Sequence, residues 1–156
     1  MTTRVLFWTI PAAGHVTGLC VIAAELVARG HEVAVLTTDD HVSAVRRAGA
    51  EPVAYPTTWD RATAPDATTD GEEPTGEVPA GEVAAWAPLV MLSEAAAQVP
   101  AARAHLAGRG ADVLVYDTTT RVAAREVAHA HGLPAVELFC SFASTPGFRL
   151  DEHLSP

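Results

Sequence analysis

The sequence predicts an α/β fold, a doubly wound parallel sheet, on three observations. Short β-favouring apolar runs alternate with segments of helical spacing, and this alternation repeats along most of the 156 residues. Glycines stand just past the helical segments, at Gly30, Gly49, Gly108 and Gly132, where a helix C-terminus favours them. The strand-like runs are apolar throughout rather than alternating, as strands covered on both faces require.

The first unit is Arg4 to Leu36. Arg4 to Thr9 reads as a buried strand, and Ile10-Pro11-Ala12-Ala13-Gly14 as a tight connection punctuated by Pro11 and Gly14. Leu19, Ile22, Ala23, Leu26 and Val27 have helical spacing, and His31 to Leu36 is the second strand. Thr37 to Asp40 offers N-caps to a short helix bearing Val42, Val45 and Ala48. Ala50 to Tyr55 is a third strand, which Pro52 places at an edge.

Residues 57–82 are rich in threonine, proline, glycine and carboxylates and lack apolar periodicity, which reads as a long surface loop. Pro88 and Pro100 then divide an alanine-rich stretch into a helix from Pro88 to Gln98 and another from Pro100 to Ala107. Asp112 to Asp117 is a fourth strand ending in a carboxylate. Thr118 to Thr120 cap a helix carrying Val122, Ala123, Val127 and Ala130, and Leu133 to Phe139 is a fifth strand. The whole, residues 1–156, reads as one domain, and a chain of this length buries roughly 70% of its unfolded surface.

Composition excludes several function classes. Nineteen acidic against ten basic residues give a formal charge of −9, and every basic residue is arginine. A phosphate-loop lysine and a Schiff-base lysine are thereby excluded, and nothing forms the basic stripe of a nucleic-acid binder. No apolar run approaches the ~20 residues of a membrane span, and no secretory leader is visible, so the expected location is cytoplasmic. Cys20 and Cys140 show no metal-ligand spacing and read as two small buried apolar residues.

Chemistry is expected where strand ends converge. His15 follows the first strand and its connection, at the carboxyl edge where open parallel sheets hold ligands. It reads either as a general base, held near neutrality by burial and a nearby carboxylate, or as a helix N-terminal residue with a packing role. Asp117 ends the fourth strand. It reads either as the carboxylate that aligns the His15 ring or as a helix cap, and both roles can coexist. Ser141 lacks the glycines of a nucleophile elbow, and Pro11 to His15 does not match G-x-G-x-x-G. Asp39 and Asp40 read as caps. His31, His41, His105, His129, His131 and His153 read as structural or solvent-facing.

These residues resemble a known family. Pro11-Ala12-Ala13-Gly14-His15-Val16, Leu26 to Val33, Ala48 to Val53, Asp112 to Asp117 and Gly132 to Val136 are similar to the N-terminal half of plant and bacterial UDP-glucosyl- and macrolide-type glycosyltransferases. The likeness covers most of residues 4–142 outside the loop. It implies a Rossmann-like acceptor-binding domain of a GT-B architecture, with the family's base on His15 and its aspartate partner on Asp117. It implies inverting transfer from a nucleotide sugar to a hydroxyl of a hydrophobic natural product, with no cofactor and no metal. The acceptor walls it implies are Ile10, Pro11, Ala12, Ala13 and Gly14, then Trp86, Leu89 and Met91, then Phe139, Ser141 and Phe142.

Two departures stand out. Thr17-Gly18 replaces the family's asparagine-proline, and the sequence stops at Pro156. The implied donor domain would be a missing C-terminal half or a second chain, and this chain alone is expected to be inactive. Two other classes compete: a non-catalytic module of the same fold that binds a ligand or partner, and a nucleotide-cofactor reductase.

Overall fold

The computed structural model describes residues 1–59 and 80–140, and the backbone alone over 80–87. Five parallel strands form one sheet: β1 (Arg4–Trp8), β2 (Glu32–Thr37), β3 (Glu51–Ala54), β4 (Val113–Asp117) and β5 (Ala135–Leu138). Their order is β3-β2-β1-β4-β5. Chain order therefore reverses between β1 and β4, and the carboxyl ends of those two strands flank the crevice that such a switch creates.

The helices α1 (Ala13–Ala28), α2 (Val42–Arg47), α3 (Ala80–Gly108) and α4 (Arg121–Ala130) cover both faces. Successive strand residues point to opposite sides. Val5, Phe7, Val33 and Val35 accordingly pack with Leu19 and Ala23 of α1 and Val45 of α2. Leu6, Trp8, Leu36, Leu114 and Tyr116 face the other way, onto Ala102 and Leu106 of α3 and Ala124 and Val127 of α4. The doubly wound parallel sheet is what the apolar runs predict, and each strand begins and ends within two residues of its expected bounds.

β3 is an edge strand, with Pro52 beside Val35 of β2. An edge tolerates a residue that has no N–H to donate. Gly30 closes α1 with φ +85°, a conformation that a side chain makes costly.

Two expectations need correction. Gly14 lies inside the first turn of α1 rather than in the connection, which spans only Thr9 to Ala12. Second, α3 is one continuous helix that runs through both Pro88 and Pro100. An interior proline costs about 3 kcal/mol by removing a backbone bond and crowding the preceding turn. Buried side chains on either side of Pro100 offset that cost: Glu94, Ala95 and Gln98 before it, Ala102 and Leu106 after it. The helix also begins at Ala80, within the segment read as loop, of which residues 60–79 lie outside the described residues.

Glu94 and Gln98 tie α3 to the sheet. Glu94 accepts hydrogen bonds from Tyr55 Oη (2.7 Å), Thr57 Oγ1 (2.7 Å), Thr58 N (2.7 Å) and Thr58 Oγ1 (2.8 Å). Gln98 donates to the Thr9 carbonyl at 2.6 Å and to Tyr55 Oη at 2.8 Å, and accepts from the Trp8 indole. Fully buried polar groups of this kind are tolerated only when so partnered. The network fixes the end of β1, from which the site is built.

Candidate functional site

The short connection after β1 delivers His15 to the first turn of α1, and its backbone is held by His41 Nε2 at 3.0 Å from the Pro11 carbonyl. Asp117, the last residue of β4, is 1% exposed. It caps the 3-10 turn Thr118–Thr120, its Oδ1 accepting from Thr119 N and Thr119 Oγ1, each at 2.8 Å.

The other carboxylate oxygen, Oδ2, faces the crevice. His15 Nδ1 lies 2.6 Å from it, Cys140 Sγ 2.8 Å and Thr9 Oγ1 3.3 Å. Capping and alignment of His15 thus coexist in one side chain, one oxygen serving each. The neutral imidazole donates from Nδ1 to the carboxylate, which leaves the Nε2 lone pair as the ring's free basic site.

Burial opposes the charge on Asp117. The hydrogen bonds from His15, Cys140 and Thr119 outweigh it and hold the carboxyl well below the usual carboxylate range. The hydrogen bond to Asp117 raises the His15 pKa; burial opposes that shift, and the carboxylate's charge adds to it. The His15 side chain is 29% exposed, so the ring is neither sealed in the core nor loose in water. Burial of its sulfur, then the bond to Asp117, push the Cys140 thiol up to about 12.

Cys140 corrects the sequence reading. It is exposed as a residue, not buried, and its thiol turns in to donate to Asp117. Its spacing from Asp117 in the chain carries no signal, because the contact arises only from β4 and β5 lying side by side. Thr9 and Gln98 were equally silent in the sequence.

The remaining expected residues scatter in accessibility. Ile10 is 0% exposed and belongs to the core, so the accessible part of the first loop is Pro11 to Gly14. Nothing stands within 4 Å of the space above Gly14. Leu89 is 66% and Phe139 44% exposed, and Met91 is half-buried. The Trp86 side chain, Ser141 and Phe142 lie outside the described residues. A groove of ≈ 280 Å³ lined by Arg4, His31, Glu32, Glu51, His105 and Arg109 lies at the opposite, amino-terminal end of the strands, away from His15.

With that geometry in place, the chain can be set beside known proteins. No protein-family model matches it. It is 29% identical over 151 residues to the demethyllactenocin mycarosyltransferase of Streptomyces fradiae, covering 96% of this chain and 31% of that one. It is 27% identical over 145 residues to the NDP-glycosyltransferase YjiC of Bacillus licheniformis, covering 93% and 34%. In three dimensions it superposes on the calicheamicin glycosyltransferase CalG4 with a TM-score of 0.77 and 29% identity, over 98% of this chain and 36% of that one.

Its neighbours in sequence and in fold are natural-product glycosyltransferases. The sheet is the α/β architecture found in these GT-B proteins, and the chain spans about a third of the length of the curated relatives it matches. The spinosyn rhamnosyltransferase SpnG, alike in fold at 18% identity, has been solved with thymidine diphosphate and with the spinosyn aglycone. Among the described residues, no helix is long and apolar enough to cross a membrane.

Proposed function

We propose that this chain is the acceptor-binding, base-carrying part of an inverting glycosyltransferase, which moves a sugar from a nucleotide sugar to a hydroxyl of a hydrophobic natural product. The observation that carries the proposal is the 2.6 Å contact between His15 Nδ1 and Asp117 Oδ2 at the switch point of the sheet. With Nδ1 held by the carboxylate, Nε2 takes the acceptor's hydroxyl proton as its oxygen attacks the anomeric carbon. The bond from that carbon to the nucleoside diphosphate breaks, and the diphosphate leaves with the electron pair. Asp117 stabilises the imidazolium that forms.

The glycosyltransferase relatives support the reaction class. Pro11 to Gly14, Leu89, Met91 and Phe139 present accessible surface for an apolar acceptor, to which Trp86, Ser141 and Phe142 are assigned as well. His15 and Asp117 carry the chemistry without a metal or cofactor. The donor is assigned to a portion outside this sequence, either in the same polypeptide or in a partner chain. The test is a transfer assay with this chain joined to such a donor-binding portion, dTDP- and UDP-hexoses, and a panel of hydrophobic aglycones. Glycoside of inverted anomeric configuration, read by NMR, is expected; retention of configuration contradicts the mechanism.

A further inference from the structure

The dyad has a third member that sugar transfer does not use. Cys140 Sγ and His15 Nδ1 approach the same atom, Asp117 Oδ2, at 2.8 and 2.6 Å. The three ligand atoms all lie within 4.8 Å of one another. One imidazole nitrogen, one carboxylate oxygen and one sulfur make a donor set suited to a borderline-soft divalent cation, whereas calcium and magnesium favour all-oxygen shells.

Ligand atoms around tetrahedral zinc stand about 3.3–3.7 Å apart, so each contact to Oδ2 opens by roughly 1 Å or less, and His15 Nδ1 and Cys140 Sγ, which lie within 4.8 Å of each other, close by at most about 1.3 Å. The groups that move are the accessible ones, the His15 ring and the Cys140 side chain. The carboxylate stays in place, because Thr119 holds its Oδ1 through two 2.8 Å hydrogen bonds. Outer hydrogen bonds of this kind commonly orient a metal-binding carboxylate.

We propose that His15 Nδ1, Asp117 Oδ2 and Cys140 Sγ form a binding site for zinc(II), and that filling it disables the dyad. The thiol releases one proton to water and binds as thiolate. A neutral His15 ring moves its hydrogen from Nδ1 to Nε2, freeing the Nδ1 lone pair for the cation; an imidazolium ring releases a second proton. With Nε2 carrying hydrogen, the ring cannot accept a proton from an alcohol, so metal binding and base function exclude each other. That consequence rests on the proposed sugar transfer; the binding itself does not.

Cobalt(II), a spectroscopic stand-in for zinc, tests the site on the metal-free chain. One equivalent is expected to produce a thiolate-to-cobalt charge-transfer band, and zinc is expected to bleach it. Cys140→Ser should abolish the band and weaken zinc at least about tenfold in competition with a chromophoric chelator, since losing even an outer hydrogen-bond partner of a ligand costs about that much. Cys20→Ser should change neither, and Cys140→Ala, checked for folding by circular dichroism, repeats the test should the serine variant not fold. Absence of the band, or zinc affinity unchanged in a folded Cys140 variant, overturns the site. A band on the chain together with no sugar transfer by the metal-free enzyme joined to its donor-binding portion refutes the functional reading and leaves the metal site standing, whereas transfer that persists at full zinc occupancy overturns the inhibition.

Discussion

His15 Nδ1 and Asp117 Oδ2 meet at 2.6 Å across 102 residues of chain. The pairing is a consequence of strand order: β1 and β4 are neighbours, so the helix start after β1 and the last residue of β4 share an edge of the sheet. A carboxylate so buried keeps its charge only because donors surround it, and one of those donors is the ring it aligns.

Asp117→Asn separates alignment from architecture. Asparagine still accepts from Thr119, so the cap survives and the melting temperature should fall less than in Asp117→Ala. It no longer fixes the Nδ1–H tautomer or stabilises the imidazolium, and transfer should fall at least about 100-fold. Asp117→Ala should lose the activity and also about 1–2 kcal/mol of stability, read by denaturant unfolding.

The raised pKa of His15 sets the pH dependence, measured with a chelator present. A base must be neutral, so the acid limb of kcat/KM should lie above the ordinary histidine value near 6.5 and drop towards it in Asp117→Asn. The same shift stabilises the fold. His15's contribution is complete below its unfolded pKa and fades as pH rises through the higher folded value. Asp117's contribution is complete above its unfolded pKa and fades as pH falls through its depressed folded value. An NMR titration of the His15 ring checks the direction.

Exposure does not make Cys140 reactive. With its thiol pushed up to about 12, little thiolate exists at pH 8, and alkylation should be roughly 100-fold or more slower than for a free peptide thiol. Asp117→Asn, which removes the acceptor's charge, should speed labelling at Cys140 and leave Cys20 as it was, as peptide mass mapping would show.

The sheet was legible because strands buried on both faces must be apolar along most of their length, as the runs within Arg4 to Thr9, His31 to Leu36 and Asp112 to Asp117 are. The juxtaposition of His15 and Asp117 was legible for the same reason, since strand ends of one parallel sheet converge. Contacts between distant segments stayed hidden. Glu94 and Gln98 look like solvent-facing residues of a helix until Tyr55, Trp8 and Thr9 close around them. Ile10 looks like a loop residue until the core takes it. Pro100 looks like a helix start because its local cost is visible and the packing of Ala95, Ala102 and Leu106 is not.

Pro100→Ala distinguishes the continuous helix from a broken one. Restoring an interior N–H inside α3 should stabilise the protein by about 1 kcal/mol or more, after allowing for the greater freedom of the unfolded chain. Loss of stability on urea unfolding would instead place Pro100 in a first turn.

The proposed sugar transfer depends most directly on the His15 imidazole. In the enzyme complete with its donor-binding portion, His15→Ala should lower the transfer rate at least about 100-fold while aglycone binding, measured by calorimetry, stays within a few-fold of wild type. Transfer at near wild-type rate in that variant would contradict the role of His15 as the base.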